Sequence, residues 1–199
     1  MDTKTRGFSI LELLVVLALI GLFLFLYAGD LQGEQRRKDF DEFTGQILAL
    51  LKSCRWKALN ERNYAGGVIE QNQNHYRITF YSDGNGNGIR IADINNGTDA
   101  PYAGPYVLDR ASGDISPGFL DDPVPQIPPK SGIISDPDPV KFGKSSIISF
   151  SPNGDSSSGT LYLACRSQSQ MFAIVMYGAT ARCRIWKLSN FQWQMVGDQ

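Results

Sequence analysis

A single histidine, His75, is all that this sequence offers for imidazole chemistry. That excludes a multi-histidine metal site and leaves no recognisable Ser/His/Asp or Cys/His arrangement near it, so no enzyme is expected. Cysteine is nearly as scarce. Cys54, Cys165 and Cys183 make an odd count, which leaves at least one thiol free. Net charge is close to absent, -1 over 199 residues, which argues against a protein that coats nucleic acid by bulk electrostatics. Proline is confined: nine of the ten fall within 95–145.

What is present is unevenly spread. Residues 83–139 hold nine Asp against two Arg and one Lys, while 160–199 hold three Arg and one Lys against a single Asp. With 42% hydrophobic residues, the chain is long enough for a substantial core in one or two domains. Its most apolar run, "FSILELLVVLALIGLFLFLY", covers 8–27 without proline and with one ionisable side chain, Glu12. As a helix it is roughly 30 Å long, enough to cross a bilayer. Buried core helices are rarely apolar on all sides for such a length. A membrane span over 8–28 is expected, with Lys4 and Arg6 favouring a cytoplasmic N-terminus.

Glu12 is then costly, by about 2–4 kcal/mol near mid-membrane and less near an interface. No Lys, Arg or His lies within 8–27 to offset it. A new amino terminus made by cutting between Gly7 and Phe8 would lie one turn before Glu12, where the helix dipole also favours an anion. "RGFSILELLVVLALIG" resembles the signal of type IV prepilins: a basic leader (1–7), Gly7 before the cut, aromatic Phe8, and Glu at the fifth mature position. The resemblance implies cleavage after Gly7 by prepilin peptidase and methylation of Phe8. It also implies that Glu12 offsets the N-terminal charge of a neighbouring subunit during assembly.

Beyond 28 the helical pattern turns one-sided. Phe40, Phe43, Ile47, Leu50, Leu51, Cys54 and Ala58 recur at steps of three and four, so an amphipathic continuation over 29–60 is expected, loosened by Gly29 and Gly33 and stopped by "ERNYAGG". "HYRITFYS" and "GIRIADI" read as strands. Residues 95–145 read as an extended surface loop or insertion with short strands. "SSIISFSP" resumes strand character, and "GTLYLAC", "QMFAIVMYG" and "ARCRIWKL" predict an antiparallel meander. The expected fold is α+β and type IV pilin-like, a long N-terminal helix whose distal half packs on a mostly antiparallel sheet, with a β-rich region over 61–199. In such a meander Cys165 and Cys183 are too far apart to bridge, which leaves Cys54 with Cys183 or three buried thiols.

"ISFSPNGDSSSGTLYL" and "YGATARCRIWKLSNFQWQMV" resemble the closing strands of the GspH/FimT family of minor pseudopilins. The Gly-Arg-x-Arg opening of that family's last strands is matched at Arg182 and Arg184, but Ala181 stands where the glycine would be. The family implies an inner-membrane, single-pass subunit with a periplasmic domain. Its partners would be other pseudopilins or pilins and an assembly platform, in a type II secretion system or a related type IV pilus. In DNA-uptake relatives such arginines contact DNA, so Arg182, Arg184 and Lys187 are candidate nucleic-acid contacts. The competing reading is a solvated face paired with the acidic loop. Asp83, Asn85, Asn87 and Asp93 have part of a calcium-loop spacing, but Arg90 and Ile94 break it. A turn in which Asn and Gly take left-handed conformations is preferred there, and no cofactor is expected.

Overall fold

The computed structural model describes residues 9–198 apart from 74, 111–113, 121–122 and 167–168, with side chains described for 9–25 and from 40 onward. It divides into two units, Met1–Thr44 and Gly45–Gln199. One helix, α1 (Ile10–Glu61), runs through both, and Gly29 and Gly33 lie within it without interrupting it.

In the first unit α1 begins with its own cap. Ser9 Oγ accepts the Leu11 N–H at 3.3 Å, and the Ser9 carbonyl accepts the Leu13 N–H at 3.1 Å. Ser9 therefore occupies the N-cap and Glu12 the third helical position, the Ser-x-x-Glu spacing of a capping box. From Ile10 to Phe25 the apolar side chains stand exposed on all sides of the helix, from 44% at Val16 to 80% at Ile10.

In the second unit the pattern is one-sided. Ile47, Leu48, Leu51, Cys54 and Ala58 are buried, Leu50 is half-buried, and Lys52, Ser53 and Trp56 face outward. The helix stops because Arg62 turns left-handed (φ 50°) and the Asn63 N–H reaches back to the Ala58 carbonyl at 3.2 Å. That is the bond of a Schellman motif, here without its usual glycine.

The chain then forms two antiparallel sheets. The first, in order β3-β2-β1-β6, contains β1 (Ala65–Asn72), β2 (His75–Ser82), β3 (Ala100–Val107) and β6 (Ile147–Phe150). The second, in order β10-β9-β8-β7-β4, contains β4 (Ile115–Pro117), β7 (Gly159–Cys165), β8 (Gln170–Tyr177), β9 (Arg182–Ser189) and β10 (Gln192–Asp198). A short β5 (Val140–Lys141) also pairs with β7. The meander β7-β8-β9 is as expected, with registers Leu161↔Ile174 and Ile174↔Ile185.

One expectation needs correction, and two are extended. "GIRIADI" is no strand: 91–95 form a one-turn helix, α2 (Ile91–Asn95), because the Arg90 N–H is taken by Asp99 and the Asp93 carbonyl collects the N–H groups of Thr98 and Asp99. The glycines of "ERNYAGG" do more than end a helix, since Ala65, Gly66 and Gly67 open β1. A Cβ at Gly66 would lie 2.9 Å from the Ile148 carbonyl oxygen, and one at Gly67 would lie 2.8 Å from Ile78 Cδ1. Glycine is what lets β1 fit between its neighbours.

The short strands expected within 95–145 are present, and the segment also contributes to the core. It supplies β3, β4 and β5, and its middle part covers the second sheet. Val124 belongs to a cluster with Tyr162, Met171, Ala173 and Trp193, and Phe119, Leu120, Ile127 and Ile134 pack against it. The Trp193 indole N–H donates to the Pro125 carbonyl at 2.7 Å. This explains the near-continuous burial along β8, whose two faces are both covered. Burying each large side chain there contributes about 1.5–3 kcal/mol.

Candidate functional site

Gly7 and Phe8 lie outside the described residues. Glu12 is exposed on the first turn of α1, and its carboxylate makes no hydrogen bond or ion pair with another described residue. Its neighbours along the helix are aliphatic and equally exposed, so the carboxylate stands alone on a greasy cylinder. Among the described residues no helix is long and apolar enough to cross a membrane. The described apolar surface, 10–25, measures about 24 Å at 1.5 Å per residue, and the expected span of 8–28 reaches beyond it at both ends.

The Asp83 loop is built as a turn. Asp83 is 4% exposed. Its Oδ1 accepts the N–H groups of Asn85 (2.9 Å) and Gly86 (2.8 Å), and its Oδ2 accepts that of Gly88 (2.7 Å). Burial pushes the Asp83 carboxyl upward, but the surrounding N–H groups outweigh it and hold the group below the usual carboxylate range. Gly86 and Gly88 take left-handed φ of 78° and 85°. Asn87 Nδ2 donates to Asp93 Oδ2 at 3.0 Å, which brings those two residues together but spends the carboxylate on an amide. Among the described residues no group of three His, Cys, Asp or Glu side chains is placed to hold a metal ion. The loop is also tied to the helix exit, with Asn63 Nδ2 donating to the Asp83 carbonyl at 2.6 Å.

The cationic strand is divided. Arg182 Nη2 and Arg184 Nε both reach Asp198 Oδ2, at 2.7 and 3.3 Å, and the Arg184 guanidinium lies 4.9 Å from the Tyr177 ring centre. Their acidic partner therefore comes from β10, not from the acidic loop. Lys187 falls on the opposite face by alternation, opposite Phe172 in register, with its Nζ 5.6 Å from that ring. The expected trio is thus a pair plus one. Ala181 has φ 49°, the left-handed region that glycine enters without steric cost, so the backbone keeps the form a glycine would favour.

All three cysteines are buried and free. Cys165 and Cys183 flank β8 near opposite ends, paired with Gln170 and Met176. Burial pushes the Cys54 thiol up to about 11 despite a hydrogen bond with Tyr102 and the nearby Lys57 charge, so it is poorly nucleophilic. Cys183 is raised for the same first reason. Sequence reasoning missed Asp198 as the arginines' partner, for which there was no local signal. It also missed the Ser9 cap, which the Ser-x-x-Glu spacing does signal. A groove of about 600 Å³ lies between the proline-rich segment and the second sheet, lined by Ile127, Ile134, Tyr162, Val175 and Tyr177 with Lys130.

One comparison with known proteins is informative. The profile of the prokaryotic N-terminal methylation motif matches residues 2–26. The match supports a type IV pilin-like prepilin, and the α+β arrangement of a long N-terminal helix followed by antiparallel sheets is a type IV pilin-like fold. It supports a structural subunit of a pilus or pseudopilus rather than an enzyme, with assembly alongside other pilins and processing by a prepilin peptidase. No curated protein and no solved structure matches the chain significantly.

Proposed function

We propose that this chain is a minor pseudopilin of the GspH/FimT kind, a non-enzymatic subunit of a type II secretion pseudopilus or a related pilus. Residues 8–28 hold it in the inner membrane with the β-rich region on the periplasmic side. Cleavage after Gly7 and methylation of Phe8 create the terminus that Glu12 of a neighbouring subunit meets. The observation that carries the reading is the coincidence of the methylation motif with a helix apolar on every side but for one carboxylate. Glu12 also stands at the capping-box position, so a purely local role competes with the assembly role. Glutamine suits that position as well as glutamate does, which separates the two. Glu12→Gln is expected to keep leader cleavage and melting temperature while filament incorporation falls about tenfold or more, as for loss of a buried charge pair. Full incorporation of Glu12→Gln, or a mature protein that still begins at Met1, overturns the proposal.

A second reading, a DNA-contacting minor pilin, draws on the left-handed Ala181 that precedes Arg182 and Arg184. It predicts duplex binding that weakens steeply with salt and is lost in Arg182→Ala. The Asp198 pairing weighs against it, since one carboxylate already neutralises part of the pair.

A further inference from the structure

The two sheets present four outer margins, and three of them are closed to another strand. β3 carries Pro101 and Pro105 and two register irregularities against β2. β6 is covered by the following segment: the Ser157 N–H donates to the Ser149 carbonyl at 2.8 Å, and Ser157 Oγ accepts the Ser149 N–H at 3.0 Å. On the far side of β7 the edge is broken into β4 and β5, of three and two residues. Proline, cover and shortness are the usual means by which an edge is protected from pairing.

β10 has none of these along its first half. Asn190 and Phe191 have φ of 49° and 60°, so β9 and β10 are joined by a two-residue type I′ hairpin. In that hairpin Ser189 and Gln192 form the closing hydrogen-bonded pair, as do Lys187 and Gln194 two residues on. The backbone N–H and C=O of Trp193 and Met195 therefore point away from the sheet. Among the described residues no backbone hydrogen bond is made on that outer side. Phe191, Met195 and Val196 beside it are exposed by 65%, 52% and 56%. A bulge at Val196, between Met195 and Gly197, is the edge's one irregularity, and it ends the regular stretch Gln192–Met195.

We propose that this edge pairs antiparallel with the same edge of a second copy of the chain, about a twofold axis at Gln194. In that register Trp193 exchanges both backbone bonds with Met195 of the partner and the reverse. Gln194 faces its own counterpart, and Gln192 lies across from the bulge at the other chain's Val196. No charged residue lies between Gln192 and Val196, so nothing in the ladder opposes like with like. Among the described residues of β10 the one carboxylate, Asp198, is held by Arg182 and Arg184. A second copy is thus met by complementary backbone and neutral side chains, and the two sheets join into one.

The test uses the full chain in detergent micelles under mild oxidation. Residues opposed across a non-hydrogen-bonded pair have Cα atoms about 4.5 Å apart, within disulfide reach. Gln194→Cys is therefore expected to cross-link to itself. In Gln192→Cys the two thiols are about 14 Å apart along the strands, so it should link about tenfold more slowly or not at all. The native cysteines are buried and supply little background. Adding Met195→Pro, which removes an outward N–H and spares the β9–β10 bonds, should abolish the Gln194→Cys link. Association through α1 alone would leave the two cysteine variants equally slow, so this test is independent of the filament reading. Equal rates for the two variants, or a link that survives Met195→Pro with an unchanged melt, overturns the proposal.

Discussion

Two stretches of one helix follow opposite rules. Residues 10–25 expose aliphatic side chains all around the axis, whereas in 45–61 a stripe through Ile47, Leu51, Cys54 and Ala58 is buried and the rest faces outward. The backbone is the same and the hydrogen bonding is the same, so helix formation alone does not distinguish them. The difference lies in what completes each one. The stripe of the second is completed by this chain: Leu48 and Leu51 line a small cavity with Phe150 and Cys183, and Cys54 is hydrogen-bonded with Tyr102. The first has no apolar partner among the described residues of its own unit, so its aliphatic surface is left open.

The largest effect that would break this contrast is in the buried stripe. Leu51→Ala, at a site 3% exposed, should lower unfolding free energy by about 2–5 kcal/mol in denaturant titrations of the full chain in detergent. The matching Leu17→Ala should stay within about 0.5 kcal/mol. Equal losses would mean that 10–25 packs on its own chain after all.

A smaller effect is expected in the Asp83 loop, which fastens the helix exit to α2 and β3. Asp83→Asn should cost about 1–2 kcal/mol through lost charged acceptors. Because the folded carboxyl is held below its ordinary value, its contribution is present above about pH 4 and lost as pH falls further. Wild-type stability should therefore drop more steeply than that of Asp83→Asn in acid melts. A calcium titration is expected to leave the melting temperature unchanged, whereas a rise that Asp83→Asn abolishes would restore the metal reading.

The smallest expected effect concerns the thiols. Cys54 in native protein at pH 8 should react with iodoacetamide far more slowly than after denaturation, since burial holds it protonated. Rapid labelling would show that the helix stripe opens away from the sheet.

Much of this was legible in the residues. The 3.6-residue stripe of 40–58, the alternation in "HYRITFYS" and the strand runs of the meander are local signals, and each appears where expected. β1 was hidden because its first residues are Ala-Gly-Gly, a composition that signals a stop until a neighbouring strand is seen to need the space. The stretch 91–95 read as strand because one helical turn is too short to show its period, and Asp99 decides it from outside. The short strands of the proline-rich segment were expected but its share in the core was not, because its apolar residues, Phe119, Val124, Ile127 and Ile134, follow no period. They meet Tyr162 and Trp193 from distant strands.

The sequence by itself determined the elements whose reason is local: a continuous helix, its apolar and one-sided parts, the meander, and one acid at the edge of a greasy run. Only the tertiary structure decided which edges are closed, which carboxylate holds Arg182 and Arg184, and which face the proline-rich segment covers. Those outcomes depend on contacts between residues far apart in sequence, and no periodicity within a short window records them.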